Sequence, residues 1–325
     1  MKSTARRSWR LLIPLLVVSS LSHSVYSSSD KKTPKAYRDI NAIGHRVIGY
    51  PSGSGNRYSL DEEKEIGSLV SATFEESLPL LQDSTTQDYL DRLAQTIARN
   101  SDSQLPITIR VIDSEDSYAV TLLGGYQYVT RGLLLQLRNE GELAAAIARG
   151  VAHTALRSAT GEATRADLTK AMSLPLIFVG SGGVANSTSP ADLTVPLTLL
   201  KFRRDDESAA DYIGIQYLYK SGYNPECFIS FVQKAWPQSG RATAKPLSPF
   251  PPLAERLHTL QGEISEILPK RDGAITSTEE FTAFQEHLLS IPLPSHCQRN
   301  QPCVALNRNT SIDCRFGVVA ASLGW

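Results

Sequence analysis

Three side chains in the sequence have types and spacing suited to metal chemistry. Glu207 and Asp211 lie four residues apart, so a helix would place both carboxylates on one face. His153 lies in an alanine-rich stretch that favours a helix, and imidazole and carboxylate both bind zinc. A lone histidine is more often structural, however, and the two acids could form ion pairs with the preceding Arg203 and Arg204 on a solvated helix face. Residue types alone leave both interpretations open.

Two longer motifs surround these residues, and a third short motif follows them. They read Gly124-Gly125-Tyr126-Gln127-Tyr128-Val129-Thr130-Arg131-Gly132-Leu133-Leu134 with Asn139-Glu140-Gly141-Glu142-Leu143-Ala144-Ala145, then Arg203-Arg204-Asp205-Asp206-Glu207-Ser208-Ala209-Ala210-Asp211 with Gly222-Tyr223-Asn224-Pro225, then Pro251-Pro252 with Glu255-Arg256. Between about residues 39 and 269 the chain resembles the HtpX-type zinc metallopeptidases, peptidase family M48. The resemblance implies an α+β fold class, a helix-dominated zincin-type domain with one small β-sheet.

The metal-binding motif of that family is degenerate in this chain. Such enzymes carry His-Glu-x-x-His, because histidines four residues apart bind one zinc and the glutamate deprotonates the zinc-bound water. The matching residues are Arg149-Gly150-Val151-Ala152-His153. By the resemblance, Arg149 replaces a zinc ligand and Gly150 replaces the general base. His153 and Glu207 keep vestigial ligand positions, and Asp211 keeps the position of a carboxylate that orients a ligand.

These replacements predict a protein without a functional catalytic residue and without a cofactor. A guanidinium cannot ligate a cation and repels it. We expect Arg149 to occupy the vacated zinc position between Glu207 and Asp211, because two facing carboxylates without a cation would be costly. The alternative is an active zinc metalloendopeptidase with an unconventional metal site, which requires stoichiometric zinc.

The resemblance also implies a peptide-binding edge strand that contains Gly124, Gly125, Tyr126 and Tyr128. Family members hold an extended peptide there through main-chain hydrogen bonds, and this mode does not depend on the catalytic residues. An ordinary protected edge strand is the alternative. The expected partner is an extended peptide or an envelope protein.

The elements that must position these residues follow from periodicity and capping. The capping box Ser59-Leu60-Asp61-Glu62 begins a helix that runs to about Glu76. Residues 106–112 form a strand, and residues 118–130 form a pair of strands around the two glycines. Further helices are predicted over residues 86–100, 140–158, 205–221, 225–236 and 252–268. The apolar, glycine-containing stretch 172–200 is predicted to be a buried or substrate-shielding helical excursion.

Composition excludes several classes of protein. The chain has 325 residues with 33 basic and 33 acidic side chains. The first 27 residues hold four of the basic side chains and no acidic one, which leaves 29 basic against 33 acidic residues. This acidic remainder has no basic surface for nucleic acid. With 41% hydrophobic residues, the chain is neither disordered nor fibrous.

The N-terminus and the cysteines indicate export. Arginines precede the apolar run that begins at Leu11, and small residues follow it, as in a signal peptide. We therefore expect an exported protein, periplasmic or in the cell envelope, with no stable transmembrane helix after signal removal. An uncleaved N-terminal anchor is the alternative. Of the three possible pairings of Cys227, Cys297, Cys303 and Cys314, the most local joins Cys297 to Cys303.

Four segments are predicted. Residues 1–27 are a signal peptide, and residues 28–58 are a linker and N-terminal extension. Residues 59–270 are the peptidase-like domain, and residues 271–325 are a C-terminal extension with a cysteine-containing tail. The sequence thus predicts an exported, catalytically inactive pseudopeptidase that binds peptide or protein.

Overall fold

The computed structural model describes residues 35–53, 55–76, 78–167, 177–180, 197–235 and 251–292. All described residues belong to one compact unit, which lies within residues 34–325. The predicted boundaries after residues 58 and 270 both fall inside that unit. The helices of the described residues are α1 Lys35–Arg38, α2 Leu60–Glu76, α3 Ser84–Arg99, α4 Arg131–Gln136, α5 Glu140–Leu156, α6 Ser158–Asp167, α7 Leu197–Lys220, α8 Glu226–Ala235, α9 Leu253–Glu266 and α10 Glu279–Ser290.

Side-chain caps fix where several of these helices begin. The predicted capping box of α2 is present, since the Ser59 backbone N–H donates to Glu62 and the Glu62 N–H donates to the Ser59 hydroxyl. The side chain of Asn139 accepts from the Glu142 N–H at the start of α5. At the end of α5, Arg157 adopts a left-handed conformation with φ 54°, and its guanidinium donates to buried Glu63 at 2.7 Å. The Asn139 cap is a local signal for the start of α5, whereas Arg157 at its end contacts a residue 94 positions away in the chain.

Four short strands form one mixed sheet in the order β1-β3-β2-β4. They are β1 Thr108–Ile112, β2 Tyr118–Thr121, β3 Tyr126–Thr130 and β4 Ile177–Gly180. β3 pairs with β1 in parallel and with β2 antiparallel, and β4 pairs antiparallel with the other side of β2. The helical structure predicted for residues 172–200 is therefore wrong at residues 177–180, where the chain extends to hydrogen-bond with β2. Residues 168–176 and 181–196 lie outside the described residues.

The alanine-rich helix α5 is the centre of the molecule, and every residue in it is buried. It packs against α3, α7, α8 and β2. Alanine allows this close approach because it adds little bulk beyond the backbone. The predicted α+β fold class, helix-dominated with one small sheet, is confirmed. Within the described residues, no helix is both long enough and apolar enough to cross a bilayer.

Segments on both sides of the predicted peptidase-like domain also contact this core. Near the N-terminus, Arg46 donates to Asp102 at 2.6 Å through Nη2, and both side chains are buried. Near the C-terminus, the Thr278 hydroxyl donates to Glu140 at the start of α5. The described core therefore includes residues from the predicted extensions at both ends.

Candidate functional site: a buried arginine at the crossing of α5 and α7

Two pairs of charged or polar side chains face each other where α5 and α7 cross. Arg149 and His153 lie one turn apart on α5, and Glu207 and Asp211 lie one turn apart on α7. All four are buried, with Arg149 only 1% exposed and Glu207 the most exposed at 9%. Gly214 lets the helices approach, since a Cβ there would lie 3.1 Å from the Arg149 Cα. The crossing thus brings together four of the predicted site residues.

Arg149 makes both of the contacts expected from the sequence. Its Nε donates to Asp211 Oδ1 at 2.8 Å, and its Nη2 donates to Glu207 Oε2. The third nitrogen, Nη1, is buried without a hydrogen-bond partner. One guanidinium thus bridges two carboxylates that come from successive turns of α7.

A second arginine, which the sequence analysis placed in a motif without giving it a role, completes the charge balance. Arg256 on α9 donates to Asp211 through Nε at 2.6 Å and through Nη2 at 2.9 Å. The cluster therefore holds two guanidinium groups against two carboxylates. The position of Arg256 in the third motif indicated that it belongs to the site. Its contact with Asp211 could not be predicted in the same way, because the two residues are 45 apart in the chain.

Burial and the arginines act in opposite directions on the acids. Burial alone would raise the pKa of Asp211, but Arg256 and Arg149 lower it below its usual value. Burial would likewise raise the pKa of Glu207, and Arg149 followed by His153 lowers it instead. Both carboxylates are therefore ionised at neutral pH.

His153 responds differently, because burial is the dominant influence on it. Burial lowers the pKa of His153, and the nearby Glu207 only partly offsets that effect. Its Nδ1 lies 3.4 Å from the Ser158 hydroxyl oxygen. Its Nε2 lies 3.6 Å from Glu207 Oε2 and has no hydrogen-bond partner. At neutral pH the ring is uncharged and does not add to the positive charge of the cluster.

The space beside Gly150 is filled by other side chains. A Cβ built on Gly150 would lie 2.7 Å from both Cδ and Oε1 of Gln127 and 2.8 Å from Oγ1 of Thr121. These distances are shorter than normal carbon contacts, so Gly150 is required for this packing. Neither neighbour can be predicted from the sequence, because neither residue type is typical of a catalytic group and their approach to α5 depends on how the sheet packs.

The side chains at this crossing do not fit a catalytic zinc ion. Such sites normally have three protein ligands and a water, and the ligand positions predicted from the sequence at this crossing are His153 and Glu207 alone. Arg149 is hydrogen-bonded to Glu207, and a guanidinium repels a cation. No group of three or more histidine, cysteine, aspartate or glutamate side chains in the described ranges is arranged to hold a metal.

The predicted edge position of the Gly124–Thr130 segment is wrong. β3 is an inner strand, hydrogen-bonded to β1 on one side and β2 on the other. Gly124 and Gly125 form the turn before it, with φ of 79° and 88°. Tyr126 is only partly buried, but Tyr128 is fully buried and its hydroxyl donates to Glu75 at 2.7 Å. Since both sides of β3 are paired, its main chain offers no free edge to a peptide. This strand order results from the parallel pairing of β1 with β3 and from the addition of β4 beside β2.

The one cysteine among the described residues is a free, buried thiol. Cys227 on α8 packs against Gly141, and burial raises its pKa to about 11. It is therefore protonated and unreactive at neutral pH. The other three cysteines, including the predicted Cys297–Cys303 pair, lie outside the described residues.

Comparison with known proteins decides the family. The model for "Peptidase family M48" matches residues 84–264, which is more than half of the chain. The chain belongs to peptidase family M48. The match contains α5, the α7 acids and Arg256, so the arginine-bridged cluster occupies the centre of the M48 domain.

Curated relatives of this M48 family member carry two kinds of name. The beta-barrel assembly-enhancing protease of Escherichia coli K12 is 25% identical over 71% of this chain and 49% of its own length. The Yersinia pestis protein of that name is 28% identical over 60% of this chain and 42% of its own. The mitochondrial metalloendopeptidase OMA1 of Schizosaccharomyces pombe is 27% identical over 71% of this chain and 69% of its own. The matched region spans less than half of the first two relatives.

Proposed function

We propose that this M48 family member is an exported pseudopeptidase that binds an extended peptide or a protein of the cell envelope without cleaving it. The observation that carries the proposal is the Arg149 guanidinium, which donates to Glu207 and Asp211 at once. In the family pattern these acids belong to the metal site. A fixed organic cation in this place satisfies them and opposes the binding of a metal ion.

Gly150 supports the absence of hydrolysis independently of the metal. A hydrolase of this type needs a carboxylate to remove a proton from the attacking water. Gly150 has no side chain, and Gln127 and Thr121 fill the adjoining space. Neutral His153 is buried and points toward Glu207, so it does not provide a replacement base at the surface.

Binding of protein partners is supported by the family and by the mode of recognition. Two of the relatives described above are named for the assembly of β-barrel proteins. Addition of a strand to a sheet uses main-chain hydrogen bonds, so it survives the loss of catalytic side chains. The apolar N-terminal run supports export and a location in the cell envelope.

Metal content tests the loss of the zinc site. We would measure zinc by elemental analysis in the purified native protein and in Arg149→His, which restores the third ligand type. The native protein should contain no stoichiometric zinc, and Arg149→His should bind about one zinc per chain. Arg92→His, at an exposed ion pair with Glu280, controls for adventitious binding to an added histidine. One zinc per native chain would instead support the active-enzyme alternative.

Proteolysis is tested separately with Arg149→His combined with Gly150→Glu. The new glutamate must displace the end of Gln127, which is a movable side chain. We expect casein cleavage only in this double variant loaded with zinc, and none in the native protein or in Arg149→His. Zinc-dependent cleavage by the native protein would refute the inactive assignment.

A further inference from the structure

The outer edge of β1 is closed by the fold. The side-chain amide of Gln87 on α3 donates to the Ile109 carbonyl at 2.8 Å, and that of Gln95 donates to the Ile107 carbonyl at 2.9 Å. A strand added along this edge would have to displace both glutamines and the helix that carries them. β3 is paired on both sides. Among the described strands, peptide addition therefore has to use the side of the sheet where β2 and β4 lie.

The side of β2 that faces away from β3 is occupied by a short segment of the same chain. β4 pairs antiparallel with all four residues of β2, from Tyr118 opposite Gly180 to Thr121 opposite Ile177. Thr121 is also the residue whose hydroxyl packs beside Gly150 of α5. β4 thus covers the sheet edge that reaches the degenerate centre of the domain.

We infer that β2 is the strand that receives an extended partner, and that β4 holds its place in the unliganded protein. This inference rests on the proposed peptide-binding function and specifies where the peptide binds and what it competes with. The main-chain groups of β2 can pair with only one strand on that side, so a partner pairs with β2 only when β4 leaves. A strand of four residues, shorter than the usual five or six, makes few hydrogen bonds and can be exchanged.

The sequence of β4 indicates the chemistry of the partner. It reads Ile177-Phe178-Val179-Gly180, an uncharged run of β-branched and aromatic residues that favours an extended conformation. A partner that replaces it must pair antiparallel with β2. The partner class is therefore an unpaired, apolar, extended segment of a polypeptide, rather than a charged or helical one.

The register of β2 and β4 allows two kinds of variant of the 325-residue chain to be designed, one that locks β4 onto β2 and one that releases it. Ala119 and Val179 lie directly opposite each other, so Ala119→Cys with Val179→Cys can join β4 to β2 by a disulfide, which mass spectrometry would verify. Phe178→Pro with Val179→Pro removes main-chain donors from β4 and releases it. Phe178→Ala with Val179→Ala truncates the same side chains but keeps the donors, and is the matched control.

The probe is a fluorescein-labelled peptide with the sequence of residues 175–181, Pro-Leu-Ile-Phe-Val-Gly-Ser, followed by fluorescence anisotropy. We expect the proline variant to bind it at least tenfold more tightly than the native protein, and the alanine variant to stay within about threefold of native. The oxidised cysteine variant should not bind, and reductant should restore native affinity.

Equal affinity of the locked, native and released forms would overturn the inference and leave peptide binding in place. Absence of binding to the released and reduced forms would overturn the proposed peptide-binding function as well.

Hydrogen exchange gives a second measure, since the amides of residues 119–121 should exchange faster in the proline variant while those of α5 stay protected. Unchanged exchange at β2 would show that β4 does not cover it.

Discussion

At the scale of single residues, Arg149 gives the α7 acids a cation that is a permanent part of the chain. A metal ion can leave its site or be removed by a chelator, whereas the guanidinium is covalently attached and 1% exposed. Burial opposes its charge, but Glu207 and Asp211 outweigh burial and raise its pKa further above the usual value. The positive charge is therefore present at every pH at which the protein folds.

Removing that charge should cost much more stability than removing an exposed one. Arg149→Leu leaves Glu207 without its cation in a buried site, and we expect a loss of about 3–5 kcal/mol in the free energy of unfolding. Arg92→Leu breaks an exposed pair with Glu280 and should cost at most about 1 kcal/mol. Urea denaturation at pH 7 measures both. Similar losses in the two variants would contradict a buried cation that stabilises the acids.

Gly150 offers a second test at this scale, because glycine usually weakens a helix. Gly150→Ala places a Cβ within 2.8 Å of Gln127 and Thr121, so we expect destabilisation of about 1–3 kcal/mol. Gly262 in α9 has no atom within 4 Å of a built Cβ, so Gly262→Ala should stabilise by about 0.5–1 kcal/mol. Thermal unfolding monitored by circular dichroism distinguishes the signs. Adding Gln127→Ala to Gly150→Ala should recover part of the loss, and no recovery would count against this contact.

At the scale of elements, the sequence predicts what local signals determine. The capping box at Ser59 locates the start of α2 and the alanine-rich stretch indicates α5, while the resemblance to the family predicts the contact of Arg149 with the α7 acids. The strand order is not local, because β4 lies more than 50 residues after β2 and takes the edge that a local reading gives to β3. Contacts such as Arg256 with Asp211 depend on packing between distant elements in the same way.

α9 also contacts α7 through a buried acid, and this contact should make stability depend on pH. Glu263 accepts from Gln216 at 2.7 Å through Oε1, and its Oε2 has no hydrogen-bond partner. Burial raises its pKa well above the usual value, so the folded state retains a proton that the unfolded state releases. This contribution is complete below the unfolded pKa and is lost as pH rises toward the folded pKa.

Glu263→Gln should remove this dependence, because the amide resembles the protonated acid and does not ionise. The variant should gain stability relative to the native protein between pH 5 and pH 8, by up to about 1.4 kcal/mol per pH unit. Urea denaturation at pH 5, 6.5 and 8 measures the difference. Glu266→Gln changes an exposed residue of the same helix and should show no such trend. Parallel pH curves for the native protein and Glu263→Gln would disprove a retained proton.

At the scale of the whole molecule, the folded unit extends past the predicted domain boundary at residue 270. Phe281, Phe284 and Leu288 of α10 are buried in the same core as α5, and Phe284 stacks on Tyr89 of α3. The Arg131 guanidinium donates to the Ile291 carbonyl at 3.2 Å. The boundary predicted from the sequence lies where the family motifs end. The core nevertheless includes α10, which follows that boundary and contains none of the motifs.

Truncation therefore distinguishes the motif boundary from the folded boundary. A chain that ends at residue 270 loses three buried apolar side chains, each of which contributes about 1.5–3 kcal/mol. Since whole domains are stable by only about 5–15 kcal/mol, we expect this chain to be largely unfolded or insoluble. A chain that ends at residue 292 keeps α10 and should retain a cooperative thermal transition close to that of the full-length protein. Cooperative unfolding of the shorter chain at the same temperature would mean that α10 packs on a core that is complete without it.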